Sequence, residues 1–164
     1  MKKDMWRVAT HVPLLVRAFT KTEGDLLEVG TGYFSTLVLR WLATMSGRKL
    51  VSYESSPWWY KTARKKQSEN HEVIFCKTWD EADFDKRHWG LIFIDHGPNK
   101  RRHVEIERLK DKCDIMVIHD TEPESDAGYL YSRIWPLFKY KYDFTLYKPW
   151  TSAVSNTVDV SMLA

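Results

Sequence analysis

The stretch 26–36, with the sequence LLEVGTGYFST, constrains the fold of this chain more than any other. An apolar run ends in an acidic residue, two glycines follow one residue apart, and a Ser/Thr pair then allows a helix to begin. A strand that turns at once into a helix needs a residue that adopts positive φ, and a ligand can touch the backbone only where Cβ is missing. Gly30 and Gly32 meet both needs. The N-terminus of the following helix favours a negative group of that ligand.

Length and composition limit what can surround this turn. The 164 residues predict a single domain over 1–164, with a short N-terminal helical extension and no separate substrate domain. A hydrophobic content of 43% excludes a disordered chain. The 25 basic and 22 acidic residues are too balanced to indicate nucleic acid. Eight tryptophans and eight tyrosines exceed what the core can hide, so some are expected at a pocket or an interface.

The cysteines and the N-terminus indicate an intracellular protein. Cys76 and Cys113 form neither a disulfide framework nor a zinc spacing, and are expected to be buried thiols. The apolar run after Pro13 is broken by Arg17 and has no small-residue cleavage site. We therefore expect no signal peptide, no membrane span or membrane partner, and a cytoplasmic location.

Strands and helices alternate along the chain. After the strand that opens the glycine turn, short apolar runs predict four more strands, and apolar residues at helical spacing lie between them. The predicted strands are 49–53, 72–76, 90–94 and 114–118, and the predicted helices are 5–19, 35–47, 57–68, 100–112 and one from Tyr129 that Pro136 kinks or ends. Thr10 or His11 is expected to cap the main part of the first helix, after a short turn before Pro13.

Two alternating segments at the C-terminus, 142–147 and 157–162, predict a hairpin with a long connection over 148–155. The whole order predicts a three-layer α/β/α Rossmann-like sandwich, with a mostly parallel sheet and a C-terminal antiparallel hairpin. Ligands in such folds bind outside the carboxyl ends of the strands. The polar residues expected at those ends are Glu28, Glu54, Asp80, Asp95, His96, His119 and Asp120.

Glu54 ends the second predicted strand, where doubly wound nucleotide-binding folds hold a ribose, because a carboxylate can accept two hydrogen bonds from a vicinal diol. Trp58 or Trp59, in the next helix, is available to cover a ligand. The basic run 64–66 in the same helix is interpreted as a solvated face, with an anionic docking patch as the alternative.

Glu28 and Ser35 distinguish between cofactors. NAD is disfavoured, because Ser35 replaces the third glycine of the dinucleotide fingerprint and Glu28 would repel a pyrophosphate. S-adenosylmethionine instead offers ammonium and sulfonium groups to Glu28, a carboxylate to the helix end, a ribose to Glu54 and an adenine to Trp79 and Asp80. The predicted cofactor site is Glu28, Gly30, Thr31, Gly32, Ser35, Glu54, Trp79, Asp80 and Asp95.

The segment EVGTGYFST resembles the first motif of class I S-adenosylmethionine-dependent methyltransferases, and VSYE resembles their ribose-binding second strand. LIFIDHGP and MVIHDTEP are similar in position to the metal-binding strand ends of catechol-type and caffeoyl-coenzyme A-type O-methyltransferases. This resemblance implies that Asp95 contacts a metal and the cofactor side of the site, that His96 lies near the adenine, and that Asp120 is a metal ligand.

Two positions depart from that pattern. Thr121 stands where the family has Asn, and Pro98 stands where it has a catalytic Lys, with Lys100 nearby but displaced. A hydroxyl is a poorer ligand than an amide carbonyl for a hard cation, although Asp95 and Asp120 could still hold magnesium with water. We therefore predict no bound metal.

Methyl transfer from a sulfonium needs alignment and the removal of a proton from the acceptor. The predicted catalytic residues are Asp95, His96, His119 and Asp120, with Lys100 as a further candidate for the proton. The alternative for His119 is a hydrogen bond to a backbone carbonyl, and the alternative for His96 is to orient its turn. Asp95 and Asp120 are favoured because charged residues at adjacent strand ends need a partner.

The acceptor is predicted from charge and aromatic residues. Acidic residues at 122, 124 and 126 argue against a nucleic-acid backbone at the mouth of the site. Tyr147 and Trp150 could stack on a sugar or an aromatic acceptor, cover the site or form a homodimer contact. We expect O-methylation of a small molecule or glycan hydroxyl. The alternatives are a protein or RNA acceptor docked on residues 100–102, a cofactor-binding partner subunit or sensor without transferase activity, and a small NAD-linked reductase.

Overall fold

The computed structural model describes residues 8–164, so the start of the helix predicted over 5–19, including Trp6, lies outside the described residues. The strands in this range are β1 (Leu26–Val29), β2 (Leu50–Glu54), β3 (His71–Phe75), β4 (Trp89–Ile94), β5 (Cys113–His119), β6 (Tyr140–Phe144) and β7 (Thr151–Ser155). The helices are α1 (Val12–Phe19), α2 (Ser35–Ser46), α3 (Pro57–Arg64), α4 (Arg102–Leu109) and α5 (Asp126–Tyr129). The first five strands therefore lie within a residue or two of their predicted positions.

These strands form one seven-stranded sheet in the order β3-β2-β1-β4-β5-β7-β6. β1 to β5 pair in parallel, whereas β7 runs antiparallel to both β5 and β6. This confirms the predicted sandwich with its C-terminal antiparallel hairpin. The chain proceeds outward from β1 to β3 and then returns to the other side of β1 with β4. The carboxyl ends of β1 and β4 therefore border the crevice in which such folds bind ligands.

The two faces of the sheet bury separate cores, because consecutive strand residues point to opposite sides. Leu26 and Phe93 pack with α1 and α2 on one side, and Val29 and Ile94 pack with α4 and the segment after α5 on the other. β4 is buried along its whole length, as expected for a strand covered on both faces. The strand ends that carry the polar residues are thus held by two packed layers.

The prediction of a second hairpin strand over 157–162 is wrong, because β7 lies within 148–155, the segment expected to be a connection. Every residue of β7 is buried between β5 and β6, so the strand lacks the polar alternation of a half-exposed strand. The alternation in 157–162 arises differently, since Val160 anchors a 3-10 turn against the core on the α1 side.

The prediction of a helix starting at Tyr129 is also wrong, since α5 ends at that residue and Leu130 adopts a left-handed φ of 60°. The chain continues in short 3-10 turns. Tyr131 fixes this segment to the end of β5, because its buried hydroxyl donates a 2.9 Å hydrogen bond to the carbonyl of His119.

Cys76 and Cys113 are free and buried, as predicted. Burial raises the pKa of both thiols, so neither is a thiolate near neutral pH. Among residues 8–164, no helix combines the length and the apolar character needed to cross a bilayer.

Candidate active site

Two clefts open at the carboxyl ends of the strands and share Asp95. The glycine cleft, of about 430 Å³, is lined by Gly30, Thr31, Glu54, Ser55, Ser56, Trp59, Asp95, His96, Gly97 and Pro98. The acidic cleft, of about 630 Å³, is lined by Val8, Asp95, His119, Asp120, Glu122, Lys148 and Pro149. Asp95 directly follows β4, so the strand that borders the crevice also joins the two clefts.

The backbone at Gly30 requires glycine for two reasons. Its φ of 90° is strained for any residue with a side chain, and a Cβ would lie 2.6 Å from the Cα of His96. β1 and the turn after β4 therefore approach each other more closely than side chains allow. The predicted role of Gly30 as the site of close backbone approach agrees with this geometry.

Glu28 lies beneath the glycine turn and is fully buried, so it is not among the residues that line the glycine cleft. The hydroxyl of Ser52 donates to it at 2.6 Å, and the hydroxyl of Thr36 donates at 2.9 Å. Thr36 in turn accepts the N–H of Gly32 at 2.9 Å, so Glu28 braces the turn through one intermediate. Burial raises the pKa of Glu28 to about 7, against the opposing effect of these hydrogen bonds.

Glu54 holds the turn from the other side. One carboxylate oxygen accepts the N–H and the hydroxyl of Thr31, both at 2.8 Å. The other accepts the N–H groups of Ser55 and Ser56, also at 2.8 Å. A carboxylate has about four lone-pair sites, so these donors fill it. A ribose diol at this position must replace one of them, and the Thr31 hydroxyl is the donor that can rotate away.

The predicted adenine contacts lie at the edge of this arrangement. Trp79 is buried and donates its indole N–H to the carbonyl of Gly97 at 2.8 Å. Asp80 is exposed and forms an ion pair with Arg101. Neither lines the glycine cleft, whereas Trp59 does, as expected for an aromatic residue that covers a ligand. Ser35 is buried at the first turn of α2.

Arg102 lies between the two carboxylates that the sequence placed at adjacent strand ends. Its guanidinium donates to Asp95 at 2.7 Å and to Asp120 at 3.1 Å, and its Nε donates to the carbonyl of His96. The ring of Tyr129 lies 4.6 Å from the same guanidinium. In the alternative of an acceptor docked on residues 100–102, Arg102 cannot form part of an exposed surface, since only 4% of the residue is exposed.

The positions that resemble a catechol-type metal site do not fit a magnesium ion. Asp95 and Asp120 already share the guanidinium of Arg102, which supplies the positive charge that a metal would supply there. Thr121, in the place of the family's Asn, is hydrogen-bonded to the hydroxyl of Ser152 at 2.7 Å, and Ser152 in turn donates to Asp143. The mechanism below therefore uses no metal between Asp95 and Asp120.

His119 lies at the junction of the two clefts. Its Nε2 is 3.0 Å from the hydroxyl of Thr10, and its Nδ1 is 3.3 Å from Asp95 and 3.6 Å from Asp120. Burial opposes a charge on this ring, but the hydrogen bond and charge of Asp95 raise the pKa of His119 above its ordinary value. Three predicted catalytic residues, Asp95, His119 and Asp120, thus line the acidic cleft together.

The fourth predicted catalytic residue, His96, faces the glycine cleft instead. Its ring lies 4.4 Å from the ring of Trp79, and its Nε2 is 3.4 Å from the buried carboxylate of Glu105. Burial, assisted by the charge of Arg102, lowers the pKa of His96 to about 3, so the ring is neutral. Lys100 is exposed and lines neither cleft.

Sequence reasoning missed the contribution of the segment before α1. His11 is the N-cap residue but makes no side-chain cap hydrogen bond, and its ring lies 4.8 Å from the rings of Phe93 and His119. The hydroxyl of Thr10 bonds the carbonyl of Pro149 at 2.8 Å rather than the helix end. The only signal was a histidine at a position where Ser, Thr, Asp or Asn caps a helix.

No protein-family model matches the sequence, and no curated protein matches it. Solved structures do match. The chain is similar to the SAH-bound methyltransferase PaMTH1 of Podospora anserina, with 12% identity and a TM-score of 0.66 over 90% of this chain and 77% of that one. It is also similar to an O-methyltransferase from Bacillus cereus in complex with SAH, with 15% identity and a TM-score of 0.64 over 94% and 84% of the two chains.

A third match is the N-terminal domain of human METTL16 in complex with SAH, with 13% identity and a TM-score of 0.58 over 92% of this chain and 69% of that domain. Identities this low show a common fold. The chain has the fold of class I S-adenosylmethionine-dependent methyltransferases, as the resemblance of its first motif implied.

Proposed function

We propose that this chain is an S-adenosylmethionine-dependent methyltransferase that acts on a hydroxyl of a small molecule or a glycan. The observation that carries the proposal is the position of Asp95, which lines both clefts. A methyl group presented from one cleft can thus meet an acceptor in the other without a further domain. The SAH-bound structures with the same fold support S-adenosylmethionine as the cofactor.

The glycine cleft is the proposed cofactor site. Gly30 and Thr31 offer backbone, Glu54 offers a carboxylate for the ribose, and Trp59 covers the opening. The bound cofactor would supply a sulfonium-activated methyl group. Asp95 lines the same cleft, where its carboxylate would stabilise the positive charge of the sulfonium. Glu28 acts from beneath, because it fixes Gly32 through Thr36.

The acidic cleft is the proposed acceptor site. His119 and Asp120 lie on its wall beside Asp95, so a hydroxyl bound there is within reach of groups that accept a proton. His119 or Asp120 would take the proton of that hydroxyl, and the cofactor, held by Gly30, Thr31 and Glu54, would supply the methyl group from the glycine cleft. Trp150 follows Pro149 of the cleft, and its backbone N–H donates a 2.9 Å hydrogen bond to the carboxylate of Glu122.

A nucleic-acid acceptor is the weaker candidate, although one similar fold belongs to METTL16. Among residues 8–164, three carboxylates line the acidic cleft, against a single lysine, Lys148, and the buried Arg102 is committed to two of the carboxylates. A phosphate backbone needs cations along its path. A binding protein without transferase activity is the other alternative. The volume of the acidic cleft, about 630 Å³, leaves room for an acceptor and therefore favours an enzyme over such a binding protein.

Calorimetric titration of the purified chain with S-adenosylmethionine, S-adenosylhomocysteine and NAD tests the cofactor. Binding of the first two with micromolar affinity, and no binding of NAD, is the expected result. Transfer of a radioactive methyl group to a panel of phenols, sugars and short RNAs then tests the acceptor. Preferential NAD binding contradicts the proposal, and labelling of RNA alone reverses the choice of acceptor.

A further inference from the structure

His11, Asp95 and His119 bring together two imidazoles and a carboxylate from three separate elements. One ligand atom of each lies within 4.8 Å of the others. His11 comes from the N-cap of α1, Asp95 follows β4, and His119 ends β5. The set shares only Asp95 with the strand-end pair compared above with a magnesium site. We propose that these three residues bind a divalent transition-metal ion, with Zn²⁺ as the representative.

The hydrogen-bond directions around Thr10 leave a lone pair on His119. Thr10 has one hydroxyl proton, which the carbonyl of Pro149 receives at 2.8 Å. Nε2 of His119, 3.0 Å from the same hydroxyl, must then carry a hydrogen and donate it. The neutral ring thus presents an unprotonated Nδ1, 3.3 Å from the carboxylate of Asp95. Either a proton or a metal ion between the lone pair and the carboxylate would remove their repulsion, and only a metal ion would also bind the nearby His11.

His11 supplies the second independent observation. The residue is 2% exposed, and neither of its ring nitrogens has a hydrogen-bond partner within residues 8–164. Buried polar atoms are normally paired, and an orphaned imidazole costs free energy that a metal bond would recover. A proton on both rings is disfavoured, because His11 and His119 lie 4.8 Å apart by ring centroids and the cation of Arg102 is close by.

The spacing fits a small cation. Ligand atoms about 2.1 Å from a tetrahedral Zn²⁺ lie about 3.4 Å apart. Nδ1 of His119 and the nearer oxygen of Asp95 have that separation already, at 3.3 Å. Across the whole cluster, the widest pair of ligand atoms is at most 4.8 Å apart, about 1.4 Å more than the tetrahedral spacing.

The surroundings complete the site. Arg102 binds one oxygen of Asp95, which leaves the other oxygen for the ion. The relay from His119 to Thr10 and Pro149 has the form of the outer hydrogen bonds that orient metal-ligating histidines. Two imidazoles and one carboxylate suit Zn²⁺ or Fe²⁺ rather than Mg²⁺. Since Asp95 and His119 line the acidic cleft, the ion would keep an open position toward an acceptor.

Titration of untagged, EDTA-treated protein with ZnCl₂ tests the proposal, with Co²⁺ absorption spectra to report ligand geometry. We expect one Zn²⁺ per chain at micromolar or better affinity, with Mg²⁺ at least 100-fold weaker. His11→Phe, which keeps a ring against Phe93, and His119→Asn should each weaken Zn²⁺ binding at least tenfold. His88→Ala, which removes an exposed histidine paired with Asp114, should leave binding unchanged.

Thermal melts of each variant without metal verify that it is folded. Failure of the folded wild-type chain to bind Zn²⁺ below 1 mM, or equal binding by the wild type and folded His11→Phe, overturns the proposal. The site shares Asp95 and His119 with the proposed methyl transfer, but the two proposals are tested separately. Zn²⁺ binding by a chain that does not bind S-adenosylmethionine would refute the function and retain the metal site.

Discussion

The glycine cleft and the acidic cleft both contain carboxylates held by hydrogen bonds, but different parts of the chain supply their partners. In the glycine cleft, Glu54 receives its four hydrogen bonds from residues of its own loop and of the neighbouring glycine turn. In the acidic cleft, Asp95 and Asp120 depend on Arg102, while His119 depends on Thr10, more than a hundred residues away in sequence. Glu54 is thus satisfied by the loops that follow β1 and β2, whereas the groups of the acidic cleft depend on partners from α4 and from the segment before α1.

The largest expected effect falls on the acidic cleft. Arg102→Met leaves two carboxylates at the base of the cleft without their cation, which should destabilise the fold by about 3–5 kcal/mol. Lys148→Met is the control, because Lys148 pairs on the rim with the exposed Glu124, and it should cost less than about 1 kcal/mol. Urea denaturation measures both. An equal loss of unfolding free energy in the two variants would mean that Arg102 contributes no more to stability than a surface charge.

The corresponding test of the glycine cleft is Gly30→Ala. The positive φ and the 2.6 Å approach to His96 together should destabilise the chain by about 3–4 kcal/mol, and cofactor binding should be lost. Gly128→Ala is the matched control, since nothing lies within 4 Å of a Cβ there and its φ is not positive. It should be neutral or slightly stabilising. A stable, cofactor-binding Gly30→Ala variant would contradict the close approach of β1 and the turn after β4.

The pH dependence of stability distinguishes Glu28 from the other acidic residues. Its pKa is raised by burial to about 7 from an ordinary 4.5, so the folded chain keeps a proton that the unfolded chain has released between these values. Its contribution to stability is present below pH 4.5 and is lost as the pH rises through 7, by about 3 kcal/mol. His71, whose pKa burial lowers to about 4, has the opposite slope between pH 4 and 6.5.

For that reason the informative quantity is the difference in unfolding free energy between wild type and Glu28→Gln at each pH. The variant cannot ionise, so it should gain on the wild type as the pH rises from 4.5 to 7.5. Chemical denaturation at five pH values measures this difference. A difference that does not change with pH would show that Glu28 is already ionised in the folded chain at pH 5.

The cofactor contacts give smaller effects. Glu54→Gln should weaken S-adenosylmethionine about 10- to 100-fold, equivalent to about 1.4–2.7 kcal/mol, because it removes the ribose acceptor and part of the clamp on Thr31. Asp80→Asn should change the affinity less than twofold, because Asp80 is exposed and pairs with Arg101. Calorimetric titration with S-adenosylmethionine measures the affinity of both variants. A large effect of Asp80→Asn would support the adenine contact that the sequence predicted.

The same contrast explains what could be predicted from the sequence. The order of the first five strands and the glycine turn is encoded by short-range apolar runs and by residues such as Gly30, whose conformation permits little else. The sheet and its C-terminal hairpin followed from that order. By comparison, β7 is buried on all sides and carries no alternation, and Tyr131 is fixed by a hydrogen bond to β5 that no local pattern indicates.

The acidic cleft was predicted in part, because Asp95, His119 and Asp120 follow strands and strand ends converge. Arg102 was considered only as part of an alternative docking surface, and His11 was predicted correctly as a cap position but not as a residue of the site. Both side chains are instead buried by contacts across the sheet. The partner of a charged residue can thus be predicted from sequence when the two residues are close along the chain. It cannot be predicted when the fold brings distant segments together.

A crystal structure of the chain with S-adenosylhomocysteine would test the proposed division between the two clefts most directly. We expect the ribose hydroxyls to bond to Glu54 in the glycine cleft and the sulfur to lie beside Asp95, facing the acidic cleft. An adenosyl group bound elsewhere, or a sulfur closed off from His119 and Asp120, would contradict it.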